Sequence, residues 1–354
     1  MSVHRVVCLM VVFISCALSG SCSRTDEPTS AETPAPEEPT VVTVSYLPYL
    51  AFGPLFIGQE EGYFAEEGIE IEFVPLKRSV LGTAPLADGK LDVLGGGTNA
   101  AFFNAIARGA DIRIVADKGH IGDGPPPVSA FLIRPEVLEN NDLTDPADWK
   151  KLRIAMSRDN FEGFFLSGII NPLGLTLEDL NILDLPPPAL NDGLAKGTLD
   201  MTQATEPWIT RLLDGGHVTV WKSACAVMPG NQYAFIAYGP SLLRDRPEVG
   251  QAFMVAYLRG ARQFAEGATE RNVEIMAKHT QLPPGILERT RWAPMRPDGS
   301  VDTASLDAFN RWAVETGYMD RALVASEFWE PAFVEEAVRR LDGGARAAGN
   351  SHDR

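Results

Sequence analysis

Nine side chains in four short segments have the types and spacing to hold a small molecule. Tyr46, Tyr49 and Phe52 share one seven-residue stretch around Pro48, an unusual aromatic density for a solvent loop. Thr98 and Asn99 follow Gly95-Gly96-Gly97, Arg158 and Asn160 flank Asp159, and Glu206 and Trp208 flank Pro207. Aromatic rings stack on planar groups. Hydroxyl and amide side chains at a helix start cap its free amides, and the amides left over attract an anion. An arginine neutralises an anion, and a glutamate accepts hydrogen bonds from an amino group. Each residue also has a plain structural use. Thr98, Asn99 and Asn160 serve as caps, Arg158 as a solvated charge, Glu206 as a favourable charge at a helix start, and Trp208 as packing. Lys118 and His120 lie beyond an apolar run at 112–115 and either touch a ligand or line a hinge.

Catalytic and metal signatures do not fit. No Gly-Lys-Ser or Gly-Lys-Thr follows the glycine run, so nucleotide hydrolysis is not supported. The five histidines, at 4, 120, 217, 279 and 352, show no paired ligand spacing. No nucleophile-elbow pattern occurs. The sequence therefore predicts a binding protein with no cofactor and no metal.

The elements that must position these residues repeat. Residues 86–92 read LADGKLD and residues 194–200 read LAKGTLD, each followed by a short apolar run, a small-residue loop and an amphipathic stretch. Strand-like runs at 41–45, 69–74, 91–94 and 112–115 alternate with helical spacing at 53–61, 80–88 and 99–108. The second half repeats this, with strands at 152–156, 181–185, 199–202 and 217–220 and helices at 161–171, 189–196 and 206–214. Such alternation predicts α/β architecture with parallel-rich sheets under helices. Two sheets are expected, joined near 125–127 and 233–238. Ligands gather beyond the carboxyl ends of strands in open α/β sheets. Four strand-to-helix loops, two from each sheet, then converge on one cleft. After Gly239 the chain reads as helical, with helices at 247–266, 269–280, 303–315 and 330–341.

Composition bounds the rest. The chain has 354 residues, long enough for two lobes, with 45% apolar and 22% charged residues. A net charge of −16 and no basic run argue against nucleic acid. His4 and Arg5 precede an apolar run from Val6 to Leu18 that ends in Ser-Gly-Ser-Cys22, which predicts an export signal over 1–21. Those last residues resemble a relaxed lipobox of bacterial lipoproteins, which implies lipidation at Cys22. Residues 23–40 hold no aromatic and no aliphatic side chain larger than alanine, which predicts a disordered tether over 22–40. Of four cysteines, Cys8 and Cys16 leave with the signal, and Cys225 remains alone, so no disulfide is expected. The expected division is 41–127 with 239–342 as the first lobe, 128–238 as the second including hinge strands, and 343–354 as a disordered tail.

Five segments carry a family resemblance: FGPLFIGQEEGYFAEEGIEIEFV after Tyr46, GGGTNAAFFNAIARGADIRIV, LRIAMSRDNFEGFFLSGIINPLGLTLEDL and TLDMTQATEPW, with Val44-Ser45-Tyr46 leading in. Over roughly 41–225 the chain resembles the type II periplasmic substrate-binding proteins of ABC importers. The nearest branch takes in sulfonate-, nitrate- and thiamine-precursor-binding proteins. The resemblance implies a two-lobed clamshell that closes on a solute and docks on a membrane permease. With the export signal and anchor it makes a monomeric, exported, membrane-anchored protein, and the aromatic and amide-rich candidates point to a small organic solute, a planar heterocycle or a sulfonate. A sensing module for a membrane receptor, or an enzyme on the same fold, are the alternatives.

Overall fold

A computed structural model describes residues 38–351 apart from residue 186. The expected signal, the Cys22 anchor and most of the expected tether lie outside the described residues.

The described strands are β1 (Thr40–Tyr46), β2 (Ile69–Pro75), β3 (Val93–Gly97), β4 (Arg113–His120), β5 (Ser129–Ile133), β6 (Arg153–Ala155), β7 (Asn181–Leu183), β8 (Met201–Thr205), β9 (Thr219–Ser223) and β10 (Gln232–Tyr238). They form two five-stranded sheets, ordered β2-β1-β3-β10-β4 and β7-β6-β8-β5-β9. The two orders are the same arrangement made twice. In the first, β1 runs parallel to β2 and β3, while β10 is antiparallel to β3 and β4. In the second, β6 runs parallel to β7 and β8, while β5 is antiparallel to β8 and β9. Each antiparallel strand enters its sheet just after the chain has crossed from the other one.

That crossing corrects one expected boundary. β10 was expected within the second lobe as a hinge strand, but it lies inside the first sheet between β3 and β4. Residues 121–128 and 224–231 are therefore the two connections. At the other end of the chain, residues expected as a disordered tail continue the last helix, which runs Ala332–Ser351.

The helices that frame the site are α1 (Gly53–Glu60), α2 (Ala100–Ala107), α3 (Phe161–Ile170) and α4 (Trp208–Asp214). Further on come α5 (Pro247–Phe264), α6 (Glu270–Thr280), α7 (Pro284–Arg289), α8 (Thr303–Glu315) and α9 (Ala332–Ser351). α1 begins with Pro54 in its first turn, where a missing N–H costs nothing. α2 and α3 begin at Asn99 and Asn160, whose side chains accept from Phe102 and Glu162 amides.

β3 extends to Gly97, so the glycine run is strand rather than loop. A Cβ on Gly95 would meet the Phe52 ring at 2.3 Å, and one on Gly96 would meet Phe235 at 2.4 Å. Rings press on the strand from both faces, and only glycine leaves them room. One continuous apolar core includes Phe56, Phe102 and Phe235 of the first lobe and Phe131, Trp149 and Phe165 of the second. Burying each such side chain contributes about 1.5–3 kcal/mol. α8 braces α3 across the lobes, with Phe164 5.8 Å from Phe309 and 5.6 Å from Trp312 between ring centroids.

Candidate functional site

The strand tips of the two lobes meet. Asn99 and Asn160 form an antiparallel bridge. The Ala100 amide donates to the Asp159 carbonyl at 2.8 Å, and the Phe161 amide donates to the Thr98 carbonyl at 2.9 Å. Two helix starts thus satisfy one another, and the lobes touch at this point. The Asn99 side chain caps α2 and also donates to the Gly97 carbonyl at 2.7 Å. Asn160 caps α3 at 2.8 Å, and the Thr98 hydroxyl donates to the Gln232 carbonyl at 3.1 Å. These residues close the gap, and the amides expected to face a ligand are partly spent on the opposite lobe.

The aromatic residues divide. Tyr46 packs edge-on against Phe56 at 5.8 Å and Phe73 at 5.3 Å, so it supports the first lobe. Phe52 is buried over Gly95. Tyr49 precedes a single 3-10 turn, Leu50–Phe52, in extended backbone and packs half-buried against the core. Burial raises the Tyr49 phenol, while the nearby Trp208 indole N–H pulls it down. Trp208 packs on the second-lobe core and carries the Arg211 guanidinium 4.6 Å from its ring centre. Its Nε1 is buried and finds no acceptor in good geometry among the described residues. A buried donor left unpaired costs about 1–3 kcal/mol, which an acceptor on a ligand would recover.

Two predicted contacts are spent within the protein. The Arg158 guanidinium donates to the carbonyls of Leu177 and Leu180 and pairs with Glu178 at 3.6 Å. Glu206 is buried, and its carboxylate accepts from the Thr210 amide at 3.0 Å and the Thr210 hydroxyl at 2.9 Å, the helix-start role. Burial raises its pKa, and those bonds with the Arg291 amide oppose the rise.

The sequence of residues 50–267 matches the sequence model of the family described as NMT1/THI5 like. The chain belongs to the NMT1/THI5-like family. No curated protein matches its sequence. Among solved structures it is similar to the periplasmic nitrate-binding protein NrtA from Synechocystis PCC 6803, at 14% identity and TM-score 0.70, covering 86% of this chain and 89% of that one. It is also similar to the alkanesulfonate-binding protein SsuA from Xanthomonas axonopodis pv. citri bound to MOPS, at 20% identity and TM-score 0.62, covering 82% and 99%. A third is the desulfurization enzyme DSZB, at 13% identity and TM-score 0.59, covering 85% and 99%. These likenesses show the two-lobed fold, which hosts both binding proteins and an enzyme.

In this NMT1/THI5-like chain, closure also assembles charges that the sequence reading passed over. Arg78, from the first lobe, donates to Asp184 at 2.9 Å and to the Ser157 hydroxyl at 2.8 Å in the second. Behind them the Glu162 carboxylate accepts the Ser157 amide at 2.6 Å. Burial pushes Glu162 up to about 7, with the Ser157 amide and the Arg78 charge opposing. A carboxylate in a helix's first turn is ordinary, so nothing in the sequence marked Glu162. Arg78 and Asp184 are remote in sequence, and only the meeting of the lobes pairs them. On the far side, Arg289 of α7 holds Asp214 at the end of α4 through two bonds of 2.9 and 2.7 Å. At the hinge, Asp117 accepts from the Gly119 amide, Gln232 and the Arg296 amide, and meets His120 at 3.1 Å, so His120 lines the hinge. A separate recess of about 550 Å3, floored by Phe264 and Trp292, is lined by none of the residues predicted for the site.

Proposed function

We propose that this chain is the solute-binding component of an ABC import system, capturing a small organic solute between its lobes and presenting the shut form to a membrane permease. The observation that carries the reading is the convergence of strand-tip segments from both lobes, Thr98–Ala100 on Asp159–Phe161 and Tyr49 beside Trp208. Family membership and the nitrate- and sulfonate-binding neighbours support it. Tyr49, Phe52 and Trp208 are the proposed ligand contacts. Tyr46, Thr98, Asn99, Arg158, Asn160 and Glu206 hold the walls and the closure in place. A binding role rather than a catalytic one is supported by the engagement of the hydroxyls at the gap: Thr98 donates to a carbonyl and Ser157 accepts from Arg78. Export, a lipid anchor at Cys22 and a tether to residue 40 complete the proposal, with the protein working as a monomer.

Native mass spectrometry of the purified protein, followed by thermal-shift titration of any carried-over solute, tests it. A solute at a hundred times its dissociation constant adds about 2.7 kcal/mol of stability. A protein that carries nothing and is stabilised by no small solute would refute the proposal.

A further inference from the structure

Lys118 is the one feature near the gap for which closure and hinge offer no use. It lies near the carboxyl end of β4 and is only 3% exposed. Its ammonium sits 4.0 Å from the centre of the Phe52 ring, in the segment that follows β1. Among the described residues its Nζ has no hydrogen-bond or ion-pair partner. A buried, unpaired ammonium is strongly unfavourable unless it loses its proton or gains an anion.

The surroundings offer one internal anion, and it is already engaged. Asp117 is adjacent, but its carboxylate is committed to the Gly119 amide, Gln232 and the Arg296 amide, with the Arg296 guanidinium at 3.7 Å and His120 alongside. β10 brings Gln232, Tyr233 and Tyr238, all neutral, and α5 brings the Tyr257 hydroxyl to the Asp117 carbonyl. The turn before α1 brings Tyr49 and Phe52. The segment beyond Arg296 brings Asp302, whose carboxylate caps α8. Of all these only Asp117 acts on the amine, and burial outweighs it, bringing Lys118 down to about 7.

Resting on the solute-binding reading, we infer that Lys118 selects the solute by charge: it pairs with an acidic group, a carboxylate or sulfonate, and takes up a proton as that group arrives. Above neutral pH the free amine gains one proton from the medium, and the resulting ammonium neutralises the bound anion. The Phe52 face stabilises the cation.

Matched probes of nearly equal shape test this: benzoate against benzamide, benzenesulfonate against benzenesulfonamide, and methanesulfonate against methanesulfonamide, on protein freed of carried solute. Any acid that binds, including a carried-over one, is then titrated calorimetrically near pH 6 and near pH 8.5 in two buffers of unlike ionisation heat. Only the acids should raise the melting temperature. Proton uptake should approach one near pH 8.5 and almost vanish near pH 6. Lys118→Met should melt at or above the native protein and bind the acid on the order of a hundredfold more weakly. Equal binding of a neutral partner, no uptake near pH 8.5, or undiminished affinity in Lys118→Met would overturn the inference. A neutral carried-over solute would overturn it too while leaving the import reading intact. A protein that binds neither probes nor any carried solute would remove both.

Discussion

At the scale of residues, the gap contains groups held away from their ordinary states, and each gives a measurable consequence. Glu162 is raised toward 7, so the folded protein binds its proton more tightly than the unfolded chain. Its favourable contribution is complete below about pH 4.5 and is lost as pH rises through about 7. Glu162→Gln removes that dependence. Between pH 5 and 8 the native protein should lose on the order of 1 kcal/mol relative to the variant, read from urea unfolding at each pH. Trp208 makes a second prediction. Its ring packs on the second lobe while its N–H waits beside Tyr49. Trp208→Ala should fold yet bind the identified solute at least about tenfold more weakly by titration, as expected for an aromatic anchor. Asn99 and Asn160 were legible because a cap has a local grammar. Their pairing with one another was not, since each reads alone as the start of its own helix. Lys118 carried only its position past a strand, and its burial appears only with Phe52 folded over it.

At the scale of elements, periodicity revealed the repeated strand–loop–helix units and placed most helices within a few residues. It fell short where burial is total. β5, Ser-Ala-Phe-Leu-Ile, is buried throughout, so it shows no alternation and went unmarked as a strand. β3 was expected to stop before the glycines, which usually signal loops, yet the rings of Phe52 and Phe235 require them inside the sheet. Gly95→Ala tests that account. With a Cβ 2.3 Å from a buried ring, the variant should lose about 1–3 kcal/mol in chemical denaturation. The predicted assignment of β10 to the second lobe failed because chain order gives no sign that a strand returns to the first sheet after crossing.

At the scale of the whole molecule, matched sheets, two connections and inter-lobe bonds make a jaw that has a shut state. The ion pair across it is modest. Arg78 and Asp184 are each more than half exposed, so their ion pair contributes at most about 1 kcal/mol. On the proposed reading the solute biases the jaw, with about 5 kcal/mol needed to move from mostly open to mostly shut. The most direct measurement is small-angle scattering from protein stripped of solute by unfolding and refolding, before and after its own solute is returned. A smaller radius of gyration and a profile matching the present structure are expected on return. Identical profiles, with the solute bound elsewhere on the surface, would contradict this expectation.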